Sequence, residues 1–249
     1  MELENQDKLR QFMNCVIDQG NTRTKIYFFQ KEELIKAFTF LNNEVKAIES
    51  TLNKEVFIHG IYSSSSKIAA FINKEKFLLL SNETPLPIRL DYKTPESLGT
   101  DRIALAAGAY ASFPGKNCLI ISAGTCITID IIDEHAVFQG GIISPGIDMR
   151  RIAMHKQTAN LPLLSQKKVT EISLIGKSTK ESMESGVING VIGEISSTID
   201  QFQSIYNDLT IIITGGDAYL FELHLKNKIF AQANLQAIGL NRILLYNAD

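Results

Sequence analysis

A β-hairpin pattern occurs twice in this chain, with its two turns about a hundred residues apart at Gly20 and Gly124. In each copy, over residues 15–29 and 118–132, two apolar runs flank a short turn that contains glycine. Apolar run, glycine turn and apolar run is a pattern typical of a β-hairpin. Because the same pattern recurs, we predict that the chain folds as two related α/β units.

Each predicted hairpin is followed by a third strand and then by alternating helices and strands. The later strands are predicted at 37–40, 56–58, 77–80, 137–144 and 210–214. Helices are predicted at 42–52, 66–72, 102–112, 179–206, 218–225 and 240–246, with another that begins after Gly146. Three prolines within residues 81–100 favour a boundary there. The predicted division is an extension at 1–13, an N-terminal half at 14–113 and a C-terminal half at 114–249, with a cleft between the halves.

The composition limits the classes of protein. Lysine and arginine number 25 and aspartate and glutamate 27, so the net charge is −2, which argues against a nucleic-acid-binding protein. With 45% hydrophobic and 21% charged residues, the chain is too apolar for disorder. No apolar run reaches the roughly 18 residues of a transmembrane helix, and the polar start lacks a signal-peptide pattern. Three cysteines without a C-x-x-C pair favour a reducing compartment, so we expect a cytoplasmic protein without a membrane partner.

The sequence DQGNTRTK, from Asp18 to Lys25, is the most specific local signal. A carboxylate at the end of the first strand can hold the water shell of Mg²⁺. Gly20 carries no side chain, so backbone amides there can approach a phosphate closely. Asn21 and Thr22 add neutral donors, and the Lys25 ammonium can reach a terminal phosphate. An ordinary type I′ hairpin turn explains these residues equally well when the segment is taken alone.

The presence of a second hairpin turn favours phosphate binding as the role of both turns. It combines a glycine with hydroxyls, at Ser122, Gly124 and Thr125, and two such turns can hold the phosphates of one nucleotide from both sides. A double glycine at Gly215 and Gly216 follows a predicted strand and would let the backbone pass close to an adenosine. The chain has neither a P-loop motif nor a G-x-G-x-x-G motif, so those modes of nucleotide binding are not indicated.

The segment Gly99-Thr100-Asp101-Arg102 begins the alanine-rich helix and has two interpretations. Asp101 can cap the helix and offset its dipole. Alternatively, Asp101 is a general base that accepts the proton of an alcohol during phosphoryl transfer. In that case the planar fork of Arg102 can orient a carboxylate or a phosphate.

Together these motifs resemble the type III pantothenate kinases, members of the actin-like ATPase superfamily that includes acetate kinase and the sugar kinases. The resemblance covers residues 14–246 and rests on DQGNTRTK, Tyr92 with Pro95 ahead of LGTDR, AGTCITID, FQGGIISPGIDMR, TANLPLL, IGKSTKESMESG and ITGGDA, in the family's order. It implies an α/β fold of duplicated ribonuclease H-like (actin-like ATPase) domains with a nucleotide cleft between them. It also implies ATP-dependent phosphorylation of pantothenate to 4'-phosphopantothenate, the first step of coenzyme A biosynthesis.

The resemblance further implies a role for each site residue. Asp18 would hold Mg²⁺ through water, and Asp101 would be the catalytic base. ATP would be bound by Asp18, Gln19, Gly20, Asn21, Thr22, Arg23, Thr24, Lys25 and Thr125. Pantothenate would be bound by Tyr92, Gly99, Thr100, Asp101, Arg102 and Thr179, the last of these from across a dimer interface. The family is homodimeric and typically needs a monovalent cation, K⁺ or NH₄⁺.

One position departs from the family pattern. The first residue of the second loop is usually an aspartate, where the monovalent cation binds, and here it is Ser122. A hydroxyl lacks the charge that holds a weakly bound cation in competition with water, so we expect weak or absent activation by K⁺ or NH₄⁺. Two alternatives stand beside a pantothenate kinase: a kinase of another small alcohol and a non-enzymatic accessory transcription factor with the same fold. The complete first phosphate loop favours an enzyme, whereas Ser122 favours the transcription factor.

Overall fold

The computed structural model describes residues 13–20, 22–63, 72, 75–164 and 173–248. They form two compact units. The first comprises the described residues up to Pro114 together with those from Asn234 onward, and the second is Gly115–Ala233. None of the helices in the described ranges has both the length and the hydropathy of a transmembrane span.

The first unit is built on a mixed sheet of strand order β3-β2-β1-β4-β5. Strands β1, β2 and β3 are antiparallel neighbours, whereas β4 and β5 run parallel to β1. The elements are β1 (Met13–Gln19), β2 (Arg23–Gln30), β3 (Glu33–Leu41), α1 (Val45–Lys54), β4 (His59–Tyr62), β5 (Phe77–Leu79), β6 (Arg89–Leu90), a 3₁₀ turn (Pro95–Ser97) and α2 (Thr100–Ser112). The helix at the end of the chain, Leu235–Ala248, also belongs to this unit and is the last of the six helices named here, α6.

Alternation along β1 and β2 gives this sheet two different faces. Cys15, Ile17, Ile26 and Phe28 point into one core cluster, together with Ile48 of α1. The residues of β1 between them point the other way, where Asn14 and Asp18 bond to side chains of α6. The sequence of β1 therefore places a carboxylate on the face covered by the closing helix.

The second unit has a sheet with the strand order β11-β10-β7-β8-β9. Strands β7, β8 and β9 are antiparallel neighbours, and β10 is parallel to β7 and β11. The elements are β7 (Asn117–Ala123), β8 (Cys126–Ile132), β9 (Val137–Pro145), α3 (Ile147–Gln157), α4 (Thr179–Ile205), β10 (Leu209–Thr214), α5 (Ala218–His224) and β11 (Ile229–Ala231).

The core of the second unit lies between one face of this sheet and helix α4. Leu119, Ile121 and Ile129 of the sheet belong to the same buried cluster as Ile188 and Ile195 of the helix. The antiparallel register pairs Ile121 with Ile129, so that apolar residues of neighbouring strands share this face. The strand ends and the turns that follow them are thereby held in place by a rigid apolar layer.

Both predicted hairpins and their third strands are confirmed, and so is the α/β class. The predicted strand at 56–58 is wrong: Val56 and Ile58 are 54% and 42% exposed, and the strand begins at His59. The reason is the pairing with β1, which starts where Asn14 meets His59. The helix predicted at 66–72 lies, except for Ile72, outside the described residues, as do residues 1–12 of the predicted extension.

The closing helix is longer than the sequence indicated, because it begins at Leu235 and not at residue 240. It packs with α2 in the first unit, so the contact-based units differ from the predicted halves 14–113 and 114–249 by this helix.

Candidate functional site

The first candidate loop is the turn between β1 and β2, where Asp18 lies directly opposite Lys25. The Gly20 N–H donates to the Arg23 carbonyl at 2.9 Å, so this amide is used within the turn. Asn21, which was expected to bind ATP, lies outside the described residues. Thr22 and Arg23 are exposed. The hairpin interpretation of this segment is therefore correct, and it leaves the phosphate-binding interpretation open.

Asn42, at the end of the third strand, fixes this loop by three hydrogen bonds. Its Nδ2 donates to the Gly20 carbonyl at 2.9 Å, and its backbone N–H donates to the Thr22 carbonyl at 3.1 Å. Its Oδ1 accepts from the Thr24 hydroxyl at 2.9 Å. Both carbonyls are thus turned toward Asn42. Asn42 is not among the residues predicted from the sequence, because a single asparagine after a strand belongs to no recognisable motif.

Two residues of the loop motif support it from inside. The Thr24 side chain is completely buried, and the Gln19 Nε2 donates to its hydroxyl at 3.1 Å. The Gln19 Oε1 is buried and has no hydrogen-bond partner among the described residues. The Thr24 side chain in this structure therefore stabilises the turn.

The Asp18 side chain is half-buried. Burial raises its pKa, the Lys25 ammonium opposes that rise, and the negative charge of Asp101 adds to it. The charges of Lys25 and Asp101 therefore act on the Asp18 carboxylate in opposite directions. Gln236 of α6 donates from Nε2 to Asp18 Oδ1 at 2.9 Å.

The start of α2 places Asp101 at the surface. Gly99 is the residue before the helix, and a Cβ atom built on it would lie 2.5 Å from Asp101 Oδ1. The same oxygen accepts from the Arg102 N–H at 2.9 Å. Asp101 lies in the first turn, where its charge can offset the helix dipole, but the predicted cap is wrong, because the N-cap is Gly99. The side chain of Asp101 is nevertheless exposed, which leaves its carboxylate accessible to a substrate.

Arg102 points the other way and is buried. Its guanidinium lies 5.6 Å from the centre of the Tyr92 ring, and Nη1 donates to the Tyr92 hydroxyl at 3.5 Å. Thr100 donates its hydroxyl to the Ser63 carbonyl at 3.2 Å. The structure therefore brings Tyr92 and Arg102 together, as two residues predicted to bind the same substrate should be.

The second candidate loop is the turn between β7 and β8, with Thr125 exposed at its tip. The Gly146 N–H donates to the Thr125 carbonyl at 3.1 Å, and a Cβ on Gly146 would lie 2.2 Å from the Gly124 carbonyl. Gly215 has φ +100°, and a Cβ on it would lie 2.2 Å from the Ala123 carbonyl oxygen. Gly124, Gly146 and Gly215 therefore lie together at one loop.

Ser122 lies beside other hydroxyls in the second sheet. Its register partners are Thr128 on β8 and Thr214 on β10, and all three lie on the face opposite the apolar core. The Thr128 hydroxyl is buried and has no hydrogen-bond partner within the described ranges. These hydroxyls offer neutral oxygens and no charge, which fits a strong monovalent-cation site poorly.

Thr179 is the first residue of α4 and is exposed. Ser178 before it accepts from the Glu181 N–H at 3.3 Å, and Glu181 accepts from the Lys177 N–H at 2.7 Å. This capping arrangement fixes the helix start and leaves the Thr179 side chain outside it.

A cavity of about 560 Å³ elsewhere in this unit, lined by Lys116, Asp133 and other residues, includes none of the predicted site residues.

Two α/β units, each built on a sheet with an antiparallel hairpin, are the architecture of the actin-like ATPase fold. Solved structures with this fold include component A of (R)-2-hydroxyglutaryl-CoA dehydratase from Acidaminococcus fermentans, at TM-score 0.54 and 15% identity over 94% of this chain and 97% of that one. A Campylobacter jejuni protein described as a Baf family transcriptional activator reaches TM-score 0.60 at 22% identity, with 94% and 98% covered. These two likenesses show the fold alone.

The family follows from more similar sequences. The family model described as type III pantothenate kinase matches residues 14–201. Proteins named type III pantothenate kinase from Christiangramia forsetii and Cytophaga hutchinsonii are each 44% identical to this chain, over 94% of it and 99% and 100% of their own lengths. The chain belongs to the type III pantothenate kinase family. The predicted resemblance and fold class are confirmed.

Proposed function

We propose that this protein transfers the γ-phosphoryl group of ATP to the primary hydroxyl of pantothenate and so forms 4'-phosphopantothenate. The observation that carries the proposal is 44% identity to type III pantothenate kinases over nearly the whole chain. The proposal is tested by following ADP release from ATP and Mg²⁺ with and without pantothenate: release that depends on pantothenate supports it, and its absence contradicts it.

Asp101 is the proposed proton acceptor. The pantothenate hydroxyl oxygen forms a bond to the γ-phosphorus while the bond to the β,γ-bridging oxygen breaks, and the hydroxyl proton passes to the Asp101 carboxylate. The exposure of this carboxylate at the start of α2 supports the role. The products are phosphopantothenate and ADP, so atoms and charge balance.

Arg102 and Tyr92 are the proposed recognition pair for pantothenate, whose carboxylate suits a guanidinium. The buried position of Arg102 against the Tyr92 ring keeps the guanidinium in one orientation. Gly99, Thr100 and Thr179 complete the proposed substrate contacts, with Thr179 acting from across the interface of a homodimer.

The first and second loops are the proposed ATP site. Lys25, opposite Asp18 in the hairpin, would neutralise a terminal phosphate, and the exposed Thr125 would donate to phosphates from the second loop. Gln19, Gly20, Thr22, Arg23 and Thr24 would shape the first loop around them, and Asn21 keeps the role expected from the sequence.

Mg²⁺ is the proposed metal, and the donor set fits it. Asp18 is a half-buried carboxylate opposite Lys25, and Mg²⁺ is commonly held by one or two carboxylates that keep its water shell. When bound, Mg²⁺ neutralises charge on the phosphates. Asp18 would hold the ion through water while its other contacts keep the carboxylate in place.

We expect removal of K⁺ and NH₄⁺ to change turnover little. Ser122 and its sheet neighbours Thr128 and Thr214 offer oxygens without charge, which cannot hold a weakly bound monovalent ion well. Initial rates measured against rising KCl or NH₄Cl, with choline chloride to keep ionic strength constant, test this. The matched variant Ser122→Asp should gain cation dependence. Saturable activation of the unchanged protein from a near-zero rate would contradict the prediction.

The proposed setting is a homodimer in the cytoplasm. Cys15, Cys118 and Cys126 are free in the structure, which suits a reducing compartment. The remaining alternatives are a kinase of another small alcohol and an accessory transcription factor. ATP binding without product formation would favour the transcription factor. Phosphorylation of other alcohols in place of pantothenate would favour a kinase of another small alcohol.

A further inference from the structure

Gln236 is a polar side chain that no motif explains, and it contacts the carboxylate proposed to hold Mg²⁺. It is the second residue of α6, 218 positions from Asp18 along the chain, and it is half-buried. Its Nε2 donates to Asp18 Oδ1 at 2.9 Å. A hydrogen bond from an amide to a charged group is worth more than one between neutral groups.

The start of α6 packs closely against α2, and this contact fixes the backbone position of Gln236. A Cβ on Gly108 of α2 would lie 2.2 Å from the carbonyl oxygen of Leu235, the residue just before Gln236. A Cβ on Gly239 would lie 1.7 Å from the Ala104 carbonyl oxygen. The two helix backbones are therefore in direct contact at this level, and α2 is the helix that begins with Asp101 at its second position.

A second polar contact holds α6 to the same strand. Asn14 of β1 donates from Nδ2 to Asn241 Oδ1 at 3.0 Å, and Asn241 donates to the Lys31 carbonyl at 2.7 Å. Asn14 and Asp18 lie on the same face of β1, so two side chains of α6 fix the helix along the strand. Asn241 is buried and bonds to two neutral groups, the Asn14 amide and the Lys31 carbonyl, whereas Gln236 reaches the carboxylate.

We propose that Gln236 is a positioning residue, which fixes the Asp18 carboxylate through Oδ1 and leaves Oδ2 for the water shell of Mg²⁺. The proposal rests on the proposed function, because it takes Asp18 as the residue that holds the metal. Without the amide, the Asp18 carboxylate loses the hydrogen bond that fixes Oδ1. The metal then binds less tightly, although the fold is unchanged.

The test compares Gln236→Ala and Gln236→Glu with the unchanged protein in calorimetric titrations of ATP at a series of Mg²⁺ concentrations. We expect the half-saturating Mg²⁺ concentration to rise by about tenfold in Gln236→Ala, in proportion to one lost bond to a charged group. We expect a larger rise in Gln236→Glu, which keeps the size of the side chain, loses the donor and adds a like charge. Gln201→Ala, on the exposed face of α4, is the matched control and should change nothing.

An unchanged Mg²⁺ requirement in Gln236→Ala would overturn the proposal. Gln236→Glu with the Mg²⁺ requirement of the unchanged protein would also overturn it, since size alone would then suffice. So would a loss of thermal stability in both variants that accounts for the weaker binding. Because the readout is ATP binding and not turnover, a protein that binds Mg²⁺ and ATP but leaves pantothenate unphosphorylated would refute the proposed function and still test Gln236.

Discussion

Replacing Asp101 by asparagine should lower turnover by roughly 10²-fold or more, because general-base catalysis typically contributes a factor of this size. The amide keeps the size of the side chain and can accept a hydrogen bond, but it cannot take up the hydroxyl proton. Asp101 is exposed at the start of α2, so the change should leave stability nearly unaffected. Steady-state rates with ATP and pantothenate measure the effect, and the affinity for pantothenate should change less than the turnover.

The matched control for this prediction is Asp200→Asn, an exposed aspartate on α4 that is not among the predicted site residues. It removes the same charge from the protein and should keep full turnover. Near-normal turnover in Asp101→Asn would refute the base role and leave Asp101 as an acidic residue of the first turn that accepts from the Arg102 N–H.

Gly239→Ala should lower the stability of the folded protein substantially. The added Cβ would lie 1.7 Å from the Ala104 carbonyl oxygen and 2.7 Å from the Gly108 backbone nitrogen, and both are backbone atoms that cannot turn aside. Helices α2 and α6 must then separate, at a cost of roughly 1–3 kcal/mol or more. Since α2 carries Asp101 and α6 carries Gln236, we expect turnover to fall together with the melting temperature.

Gly190→Ala is the control for helix composition. Gly190 lies within α4, it is exposed, and nothing lies within 4 Å of the Cβ position. Alanine there should stabilise the helix by about 1 kcal/mol. Differential scanning calorimetry of both variants measures the contrast. A Gly239→Ala protein as stable as the unchanged one would contradict the close contact of the two helices.

Much of the fold could be predicted because local sequence patterns determine its strands and turns. The turns at Gly20 and Gly124 each follow an apolar run, and the residues of these runs are mostly buried in the strands β1 and β7. The strand at 56–58 could not be placed, because the start of β4 is set by its pairing with Asn14, more than forty residues earlier. Apolar residues at Val56 and Ile58 gave the wrong signal.

The candidate site was predictable where it follows a motif. Asp18 and Lys25 are paired in the predicted hairpin, and Asp101 and Thr125 are exposed, whereas their roles in binding and catalysis stay predictions. Asn42 and Gln236 were missed, because amide side chains occur in many loops and helices. Their importance comes from contacts with residues 22 and 218 positions away, which no local pattern records.

The closing helix shows the same limit at a larger scale. Its pattern indicated a helix from residue 240, but its first turn at Leu235 is stabilised by backbone contact with Gly108 of α2. Small residues in an alanine-rich helix are consistent with such a contact, yet they do not say which helix provides the partner. The assignment of α6 to the first unit therefore needed the structure.

The central claim, phosphorylation of pantothenate, is tested most directly by mass spectrometry of the reaction products. The purified protein is incubated with ATP and Mg²⁺ and with pantothenate, glycerol or glucose in separate reactions, and ADP is measured alongside. We predict ADP release that depends on pantothenate and a product that is pantothenate plus one phosphoryl group, with little product from the other alcohols. ATP binding without pantothenate-dependent product, or equal phosphorylation of the other alcohols, would contradict the account.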